Sequence, residues 1–193
     1  GWARQPEQVI ERATTSAERA VTLAPNDARA LTVAGHVRGF LCKQPRDALD
    51  LHERALALNS NLALAWCFAG LSHCYLGHHR EASRFIAHAV DLSPSDPHLF
   101  FFGMAQTMPH MLRGEYELAC DIGRWAVGLN PWFTSAYKGY LAALGHLGDL
   151  DRAADVRERL LALEPGFTVE SAIARSPMGR PEDLKRYADG LRL

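Results

Sequence analysis

Apolar and small residues recur at three- and four-residue intervals along most of the chain, which is the spacing expected of amphipathic helices. The pattern is clearest over residues 61–94, which read NLALAWCFAGLSHCYLGHHREASRFIAHAVDLSP. Trp66 and Gly70 fall on one face of its first half, and Ala82 and Ile86 fall on one face of its second half. The segment therefore predicts two antiparallel helices that approach closely through their small residues and are joined by a short turn.

A helix-ending residue, usually proline, recurs along the whole sequence. It stands at Pro25, Ser60, Pro94, Pro131 and Pro165. Subtracting neighbouring positions gives spacings of 35, 34, 37 and 34 residues. An alanine also opens each second helix, at Ala48, Ala82, Ala119 and Ala153. A period near 34 residues with one helix–turn–helix per unit is the mark of tetratricopeptide repeats.

We therefore expect one all-α domain over residues 1–193, built as an α-α superhelix (a solenoid) of about four helix–turn–helix repeats. A leading helix is expected within 1–25, repeats over 26–60, 61–94, 95–131 and 132–165, and a C-terminal helical cap over 166–193. The individual helices are expected at 6–23, 27–41, 46–58, 61–76, 79–92, 96–112, 115–129, 133–147, 150–163 and 168–175, with a last helix starting at 181. The cap is expected because the last repeat of a solenoid otherwise exposes its apolar flank. Since the sequence begins with glycine rather than methionine, we interpret the chain as a fragment of a longer protein.

The third repeat departs from the pattern, because its spacing of 37 residues exceeds the usual 34 by three. Pro109 lies near the end of its first helix and is expected to kink or end that helix. Met104 occupies the position that Gly70 has in the second repeat. We therefore expect the two helices of this repeat to be splayed apart at Met104.

Composition argues against several classes of function. The formal net charge of -1 is unfavourable for a dedicated nucleic-acid surface, which usually needs an excess of basic residues. No apolar run reaches the roughly 20 residues that a membrane-spanning helix requires. The four cysteines form no Cys-x-x-Cys pair, so a reducing cytoplasm is the simplest interpretation. Phosphate-loop, nucleophile-elbow, zinc-protease and dinucleotide-binding motifs are missing, so this segment is predicted not to be an enzyme and to need no cofactor.

One cluster, formed by His73, Cys74, His78 and His79, contains residue types that bind zinc. Cys74 and His78 are four residues apart and would share a helical face if the helix ran that far. Gly77 is expected to break the helix between them, and His73 stands where such repeats often carry tyrosine. We therefore predict no metal site.

The remaining candidate surface is the groove lined by the first helix of each repeat. Its predicted lining is Arg29, His36, Phe40, Cys67, Leu71, Cys74, Tyr75, His98, Phe101, Met108, Lys138 and His146. This set is mostly apolar and aromatic, which favours an extended or helical apolar segment as the ligand. The alternative is that Phe40, Tyr75 and Phe101 only fill the interior of a tightly wound superhelix.

The tail of the sequence resembles a known group of proteins. Its features are Pro-Gly-Phe-Thr at 165–168, Ala-Arg-Ser-Pro at 174–177, and a last helix with Asp183-Leu184, Tyr187 and Gly190-Leu191. They resemble the C-terminal end of the tetratricopeptide regions attached to bacterial class III adenylate/guanylate cyclases, and of related winged-helix transcriptional regulators. The resemblance implies a cytoplasmic protein-interaction module that regulates or oligomerises an attached output domain, such as a cyclase domain outside this segment.

Two alternatives stay open at this point. One is a stand-alone adaptor that binds a peptide, and the other is the repeat region of a winged-helix regulator. In each case the expected partner is a protein or peptide segment, the protein's own attached domain, or a second copy of the chain. Direct contact with nucleic acid or with a membrane is not expected.

Overall fold

The computed structural model describes residues 6–192, and every regular element within them is helical. The α-helices are α1 (Pro6–Leu23), α2 (Ala28–His36), α3 (Pro45–Leu58), α4 (Ala63–Tyr75), α5 (His79–Leu92), α6 (Leu99–Leu112), α7 (Tyr116–Leu129), α8 (Thr134–Leu147), α9 (Leu150–Leu163), α10 (Val169–Arg175) and α11 (Pro181–Arg192). A π-helical turn, Val37–Leu41, continues α2. The predicted all-α class is confirmed. When the π-helical turn is counted with α2, the predicted helix ends agree with these bounds to within three residues.

The chain divides into two compact units, Gly1–Ser93 and Pro94–Leu193. In the first unit α2 pairs with α3 and α4 pairs with α5, and α1 packs against α2. In the second unit α6 pairs with α7 and α8 pairs with α9. The predicted helical hairpins are therefore present, two in each unit. That the whole chain forms one domain stays a prediction.

Small residues bring the two helices of a hairpin together. A methyl group added at Gly70 in α4 would lie only 2.6 Å from Cγ1 of Ile86 in α5. Ala82, Ile86 and Ala89 of α5 are completely buried. The structure therefore confirms the close packing predicted for residues 61–94. Only a residue without a side chain fits where the α4 backbone meets Ile86.

The π-helical turn explains why the first spacing is 35 residues rather than 34. Gly35 in α2 packs against His52 in α3, 17 positions later, whereas Gly70 packs against Ile86 only 16 positions later. One extra residue therefore lies between the glycine and its partner. A π turn absorbs one additional residue without interrupting the helix, and Cys42 donates its backbone N–H to the carbonyl of Val37, five residues back, at 3.1 Å.

The turns inside the hairpins depend on residues with positive φ. Gly77, Gly114 and Gly148 have φ angles of 84°, 81° and 70°, as expected of helix-ending glycines. In the first hairpin this place is taken by Lys43, whose φ is 56°. This conformation costs a residue with a side chain roughly 1–2 kcal/mol. Lys43 is therefore a strained position in the first hairpin.

The third repeat differs from expectation in two respects. Of the two outcomes expected at Pro109, a kink or the end of the helix, the second does not occur, because α6 continues to Leu112. The carbonyl of Pro109 accepts a hydrogen bond from the N–H of Arg113 at 3.1 Å. The close approach to α7 occurs at Gly103, where an added methyl group would lie 2.8 Å from Cβ of Ala126, so Met104 does not occupy the contact position.

The C-terminal cap folds back onto the second unit. α11 packs mainly against α8 and also against α6, and α10 packs against α11. Since α6 and α8 are the first helices of their hairpins, α11 covers the face that the sequence analysis assigned to ligand binding. The sequence predicted the cap helices but not this location.

Candidate binding faces on the first helices

Part of the predicted lining in the first unit lies in the interior. Cys67 and Cys74 have no exposed surface, and Leu71 is 3% exposed. These three residues share one face of α4, and a ligand cannot reach that face in this structure. Sequence periodicity could not reveal this, because α4 is apolar around its whole circumference and its pattern does not indicate which face is open.

Other predicted residues of the first unit keep some exposed surface. Arg29 is exposed, and His36, Phe40 and Tyr75 are half-buried. The ring of His36 stacks on that of Phe68, with centroids 4.0 Å apart and planes 12° apart, and lies parallel to that of Phe40 at 5.7 Å. The accessible part of this face is therefore an aromatic stack, formed by α2, its π turn and α4.

Burial keeps two imidazoles of this unit neutral at pH 7. It lowers the pKa of His36 to about 4. Burial, together with the charges of His36 and His73, lowers the pKa of His52 to about 3. Neither ring nitrogen of His52 has a hydrogen-bond partner among residues 6–192. The ring packs instead against the Gly35 backbone, since a methyl group at Gly35 would lie 2.7 Å from its Nδ1.

The cluster considered for zinc binding is not assembled. The Nδ1 atoms of His73 and His78 are 3.5 Å apart, while the thiol of Cys74 is completely buried. The described residues contain no group of three or more His, Cys, Asp or Glu side chains that could hold a metal ion. Burial, followed by the charge of His78, lowers the pKa of His73.

A small cleft opens in the first unit between α1, α2 and α3, with a volume of about 250 Å³. Arg38 reaches across it to the carboxylate of Glu18 at 3.1 Å. The hydroxyl of Thr14 lies 3.5 Å from the thiol of Cys42 at its wall. Because the guanidinium already pairs with Glu18 and with Gln44, this cleft offers no unpaired charge to a ligand.

Three predicted residues of the second unit have neighbours within that unit's hairpins and turns. His98 lies beside Asp96, two residues earlier in the chain, and its Nδ1 is 3.1 Å from the Asp96 carboxylate. Phe101 lies next to Phe133, with ring centroids 6.1 Å apart. Met108 packs against the backbone of α8, because a methyl group at Gly139 would lie 2.9 Å from its sulfur.

The remaining two, Lys138 and His146, are held by the C-terminal segment. Lys138 pairs with the carboxylate of Glu164 at 2.9 Å. Nε2 of His146 donates a hydrogen bond to the backbone carbonyl of Arg186 at 2.8 Å, and its ring stacks on that of Tyr116 at 4.6 Å. The last helix and the turn before α10 therefore occupy the positions that a ligand of α8 was expected to contact.

α11 fits this face closely. A methyl group at Gly190 would collide with the carbonyl oxygen of Ala142 and would lie 2.7 Å from the His146 ring. Nη1 of Arg186 donates a hydrogen bond to the carbonyl of Leu112, at the C-terminal end of α6, at 2.6 Å. Tyr187 is buried beneath α11, and burial raises the pKa of its hydroxyl. The first-helix face of this unit therefore accommodates a helix that has a small residue at the point of closest approach.

A buried carboxylate anchors the start of the cap. Glu164, 7% exposed, pairs with Lys138 and also with Arg175 at 3.1 Å. Burial acts to raise the pKa of Glu164, but the hydrogen bond and charge of Lys138, with hydrogen bonds from Thr134 and Arg175, outweigh it and lower the pKa. Sequence analysis assigned no contact with the groove to Glu164, Arg186 or Gly190. For Gly190 the available signal was a glycine inside an otherwise regular amphipathic helix.

Solved structures share this fold at low sequence identity. PilW, described as a widely conserved type IV pilus biogenesis factor, has a TM-score of 0.71 and 19% identity, over 94% of this chain and 84% of that chain. YrrB, described as a TPR protein with an unusual peptide-binding site, has a TM-score of 0.58 and 19% identity, over 91% of both chains. MamA from Desulfovibrio magneticus RS-1 has a TM-score of 0.60 and 18% identity, over 86% of this chain and 92% of that chain.

No protein-family model matches the sequence, and no curated protein is significantly similar to it. The structural likeness, at identities below 20%, establishes the fold alone, which is a tetratricopeptide-like arrangement of helical hairpins. Between residues 6 and 192, no helix has the combination of length and apolar character needed to cross a membrane.

Proposed function

We propose that this chain is a protein-interaction module that binds helical segments on the face formed by the first helices of its hairpins. The observation that carries this proposal is the seating of α11 across α6 and α8. The chain itself supplies an example of the ligand that this face accepts, with its geometry fixed by Gly190 and Arg186.

The seated helix indicates what a ligand needs. A small residue allows its backbone to approach that of Ala142, and an aromatic residue, here Tyr187, fills the space beneath. A cationic side chain reaches the carbonyl groups at the C-terminal end of α6, which is the negative end of the helix dipole. We infer a preference for amphipathic helices that combine these three features.

The first unit supports the same function through a different lining. Its accessible residues include the stacked rings of His36 and Phe40, which are half-buried, and the exposed Arg29. The stacked rings suit an apolar or aromatic side chain. The peptide-binding site in the description of YrrB belongs to that protein, and it supports the proposal only as a precedent for this fold.

We further propose that the module is cytoplasmic and acts beside an attached output domain, of which a class III nucleotide cyclase is the leading candidate. The support is the sequence resemblance of the tail, residues 165–191. On this proposal the segment itself has no enzymatic role. A stand-alone adaptor and a winged-helix regulator are the alternatives. Measuring cyclase activity of the full-length gene product with and without this segment separates them, since an adaptor has no such activity to change.

The binding face is tested by freeing it and offering the same helix as a separate peptide. In Gly190→Phe the bulky ring prevents α11 from seating, so a fluorescent peptide with the sequence of residues 179–193 should bind and raise its anisotropy. The wild type should not bind, because its own tethered helix competes at an effective concentration near millimolar. Gly166→Phe is the matched control, since nothing lies within 4 Å of a methyl group there. Absence of binding to Gly190→Phe, in a variant that is still helical by circular dichroism, would overturn the proposal.

A further inference from the structure

Helix α1 has the sequence and the position of a second helix, but residues 6–192 contain no first helix ahead of it. Its last residue, Leu23, stands two positions before the helix-ending Pro25, as Leu92 does before Pro94. It packs against α2, the first helix of the next hairpin, as α3 packs against α4 and α7 packs against α8. One side of α1 is therefore left without the helix that would complete its hairpin.

Two alanines of α1 differ in burial from their counterparts, which are found by aligning the second helices on their helix-ending residues. Ala13 corresponds to four alanines that are at most 7% exposed, namely Ala48, Ala82, Ala119 and Ala153. Ala20 corresponds to four residues with no exposed surface, namely Ala55, Ala89, Ala126 and Leu160. In α1, however, Ala13 is only half-buried and Ala20 is exposed.

The first helix of the same hairpin covers these positions elsewhere in the chain. A methyl group at Gly39, in the π turn that continues α2, would lie 3.0 Å from Cβ of Ala48. One at Gly103 in α6 would lie 2.8 Å from Cβ of Ala126. The other hairpins thus show what packs on the equivalents of Ala13 and Ala20, namely a first helix with a small residue at the contact.

An exposed side chain on α2 indicates the same missing neighbour. Val33 is 50% exposed. The spacing of 35 residues places it where α4 has Phe68, which is 8% exposed and stacks on His36 of the preceding first helix. The corresponding residue of α8 is Gly139, where a methyl group would lie 2.9 Å from the sulfur of Met108, again on the preceding first helix. Val33 therefore lies on the side of α2 where a preceding first helix is expected.

We propose that the N-terminal groove, bordered by Ala13, Ala20 and Val33, receives one further α-helix from the segment that precedes residue 1 in the longer protein. The proposal rests on the interpretation of the chain as a fragment. Helices consecutive in sequence form all four hairpins among residues 6–192, so the adjacent segment of the same protein is the occupant that this architecture favours. The new helix packs on α1 as α4 packs on α5, and beside α2 as α4 does, so it continues the existing row of first helices.

The groove defines the properties of this helix. It needs glycine or alanine where it crosses α1, because Gly39 and Gly103 have this role in their hairpins. It needs an apolar or aromatic side chain next to Val33, as His36 lies next to Phe68. The first helices α4, α6 and α8 have 13 or 14 residues. The sequence ahead of residue 1 should therefore predict an amphipathic helix of about this length.

The test compares hydrogen exchange of α1 in the full-length protein and in residues 1–193. Exchange over residues 6–23 should be at least about tenfold slower in the full-length protein, because the added helix covers the groove and must open before α1 can exchange. Exchange over residues 150–163, in α9, is the internal reference. Equal exchange of α1 in the two proteins overturns the proposal, and so does a gene that encodes no helix-forming segment ahead of residue 1.

A pair of substitutions assigns the protection to the groove. Ala20→Arg places a long cationic side chain in the groove and should remove most of the added protection in the full-length protein. In residues 1–193 it should change little, because Ala20 is exposed. Thr15→Arg is the matched control, since this exposed position of α1 corresponds to exposed polar residues in the other second helices, namely Asp50, Arg84, Asp121 and Asp155. If the two substitutions have the same effect on the full-length protein, the groove is not the site that the added helix covers.

A second copy of the chain is the competing occupant, and protein concentration distinguishes it. Exchange of α1 in residues 1–193 should not depend on concentration from low to high micromolar. Protection that rises with concentration to the level of the full-length protein would assign the groove to a second copy and overturn the proposal. None of these measurements involves α11, so failure here leaves the proposed function intact.

Discussion

Replacing Gly190 by alanine tests whether the contact between α11 and α8 is as close as the structure shows. The added methyl group meets the carbonyl oxygen of Ala142 and two ring atoms of His146, at 2.7 and 2.9 Å. A backbone carbonyl inside a packed helix cannot move aside as a flexible side chain can. The substitution therefore requires α11 to shift outward, which also strains the hydrogen bond from His146 to the Arg186 carbonyl.

The magnitude follows from two opposing effects. Exchanging glycine for alanine inside a helix stabilises the helix by about 1 kcal/mol when the site is open. Inserting a methyl group into a packed contact costs about 1–3 kcal/mol, and weakening one hydrogen bond costs about 1 kcal/mol more. The net expectation is a loss of about 1–3 kcal/mol. Gly128→Ala provides the reference, because nothing lies within 4 Å of a methyl group at that position of α7.

Two measurements are needed, because α11 can detach without global unfolding. Urea denaturation followed by circular dichroism gives the free energy of unfolding of each variant. Hydrogen exchange over residues 181–192 reports the local opening of α11, which should become about 5- to 150-fold more frequent in Gly190→Ala. If Gly190→Ala proves as stable as Gly128→Ala and leaves this exchange unchanged, the contact with Ala142 does not determine how α11 is seated.

Three further predictions concern single residues. The free energy of unfolding should fall as the pH drops from 6.5 towards 4, because His52, whose pKa is lowered to about 3, binds a proton in this range only after unfolding. The expected loss is about 2 kcal/mol at pH 5. Urea titrations should show a smaller loss in His52→Phe. Glu164→Gln should destabilise the chain by up to about 3 kcal/mol, because Lys138 and Arg175 lose their carboxylate partner. It should also abolish the part of the wild-type stability loss that begins as the pH falls below about 4.5, where Glu164 of the wild type starts to bind a proton after unfolding. Lys43→Gly should stabilise the chain by about 1 kcal/mol, whereas Gly148→Ala should destabilise it by a similar amount, both measured by thermal unfolding.

The repeat architecture was predictable because it is encoded redundantly. The period, the alanines that open the second helices and the glycines at 77, 114 and 148 all indicate the same hairpins. The spacing of 35 residues contains one extra residue in the first repeat, which was not predicted. The π turn at Val37–Leu41 follows from the packing of Gly35 on His52, and such a long-range contact has no local signature.

The binding residues were harder to predict, for two physical reasons. A helix that is apolar on every side, such as α4, gives no sign of which face stays exposed, so Cys67 and Cys74 were assigned to a surface although they lie in the interior. The amphipathic pattern of α11 showed that one of its faces would be buried, but not against which helices. Lys138 and His146 were therefore expected to meet a ligand, and instead they contact the chain's own C-terminal segment.

The seating of α11 sets a requirement for any ligand of this face. If α11 is held by about 2–3 kcal/mol, the face is open in roughly 0.6–3% of molecules, and a partner binds about 30- to 160-fold more weakly than it would bind the uncovered face. A substitution that loosens α11, such as Gly190→Ala, should then tighten partner binding by the same factor by which it raises the open fraction. Stability and affinity should thus change in opposite directions across a series of Gly190 variants. A purely structural cap predicts the reverse, with affinity falling as the fold weakens, so the sign of this correlation decides whether α11 occupies a binding face.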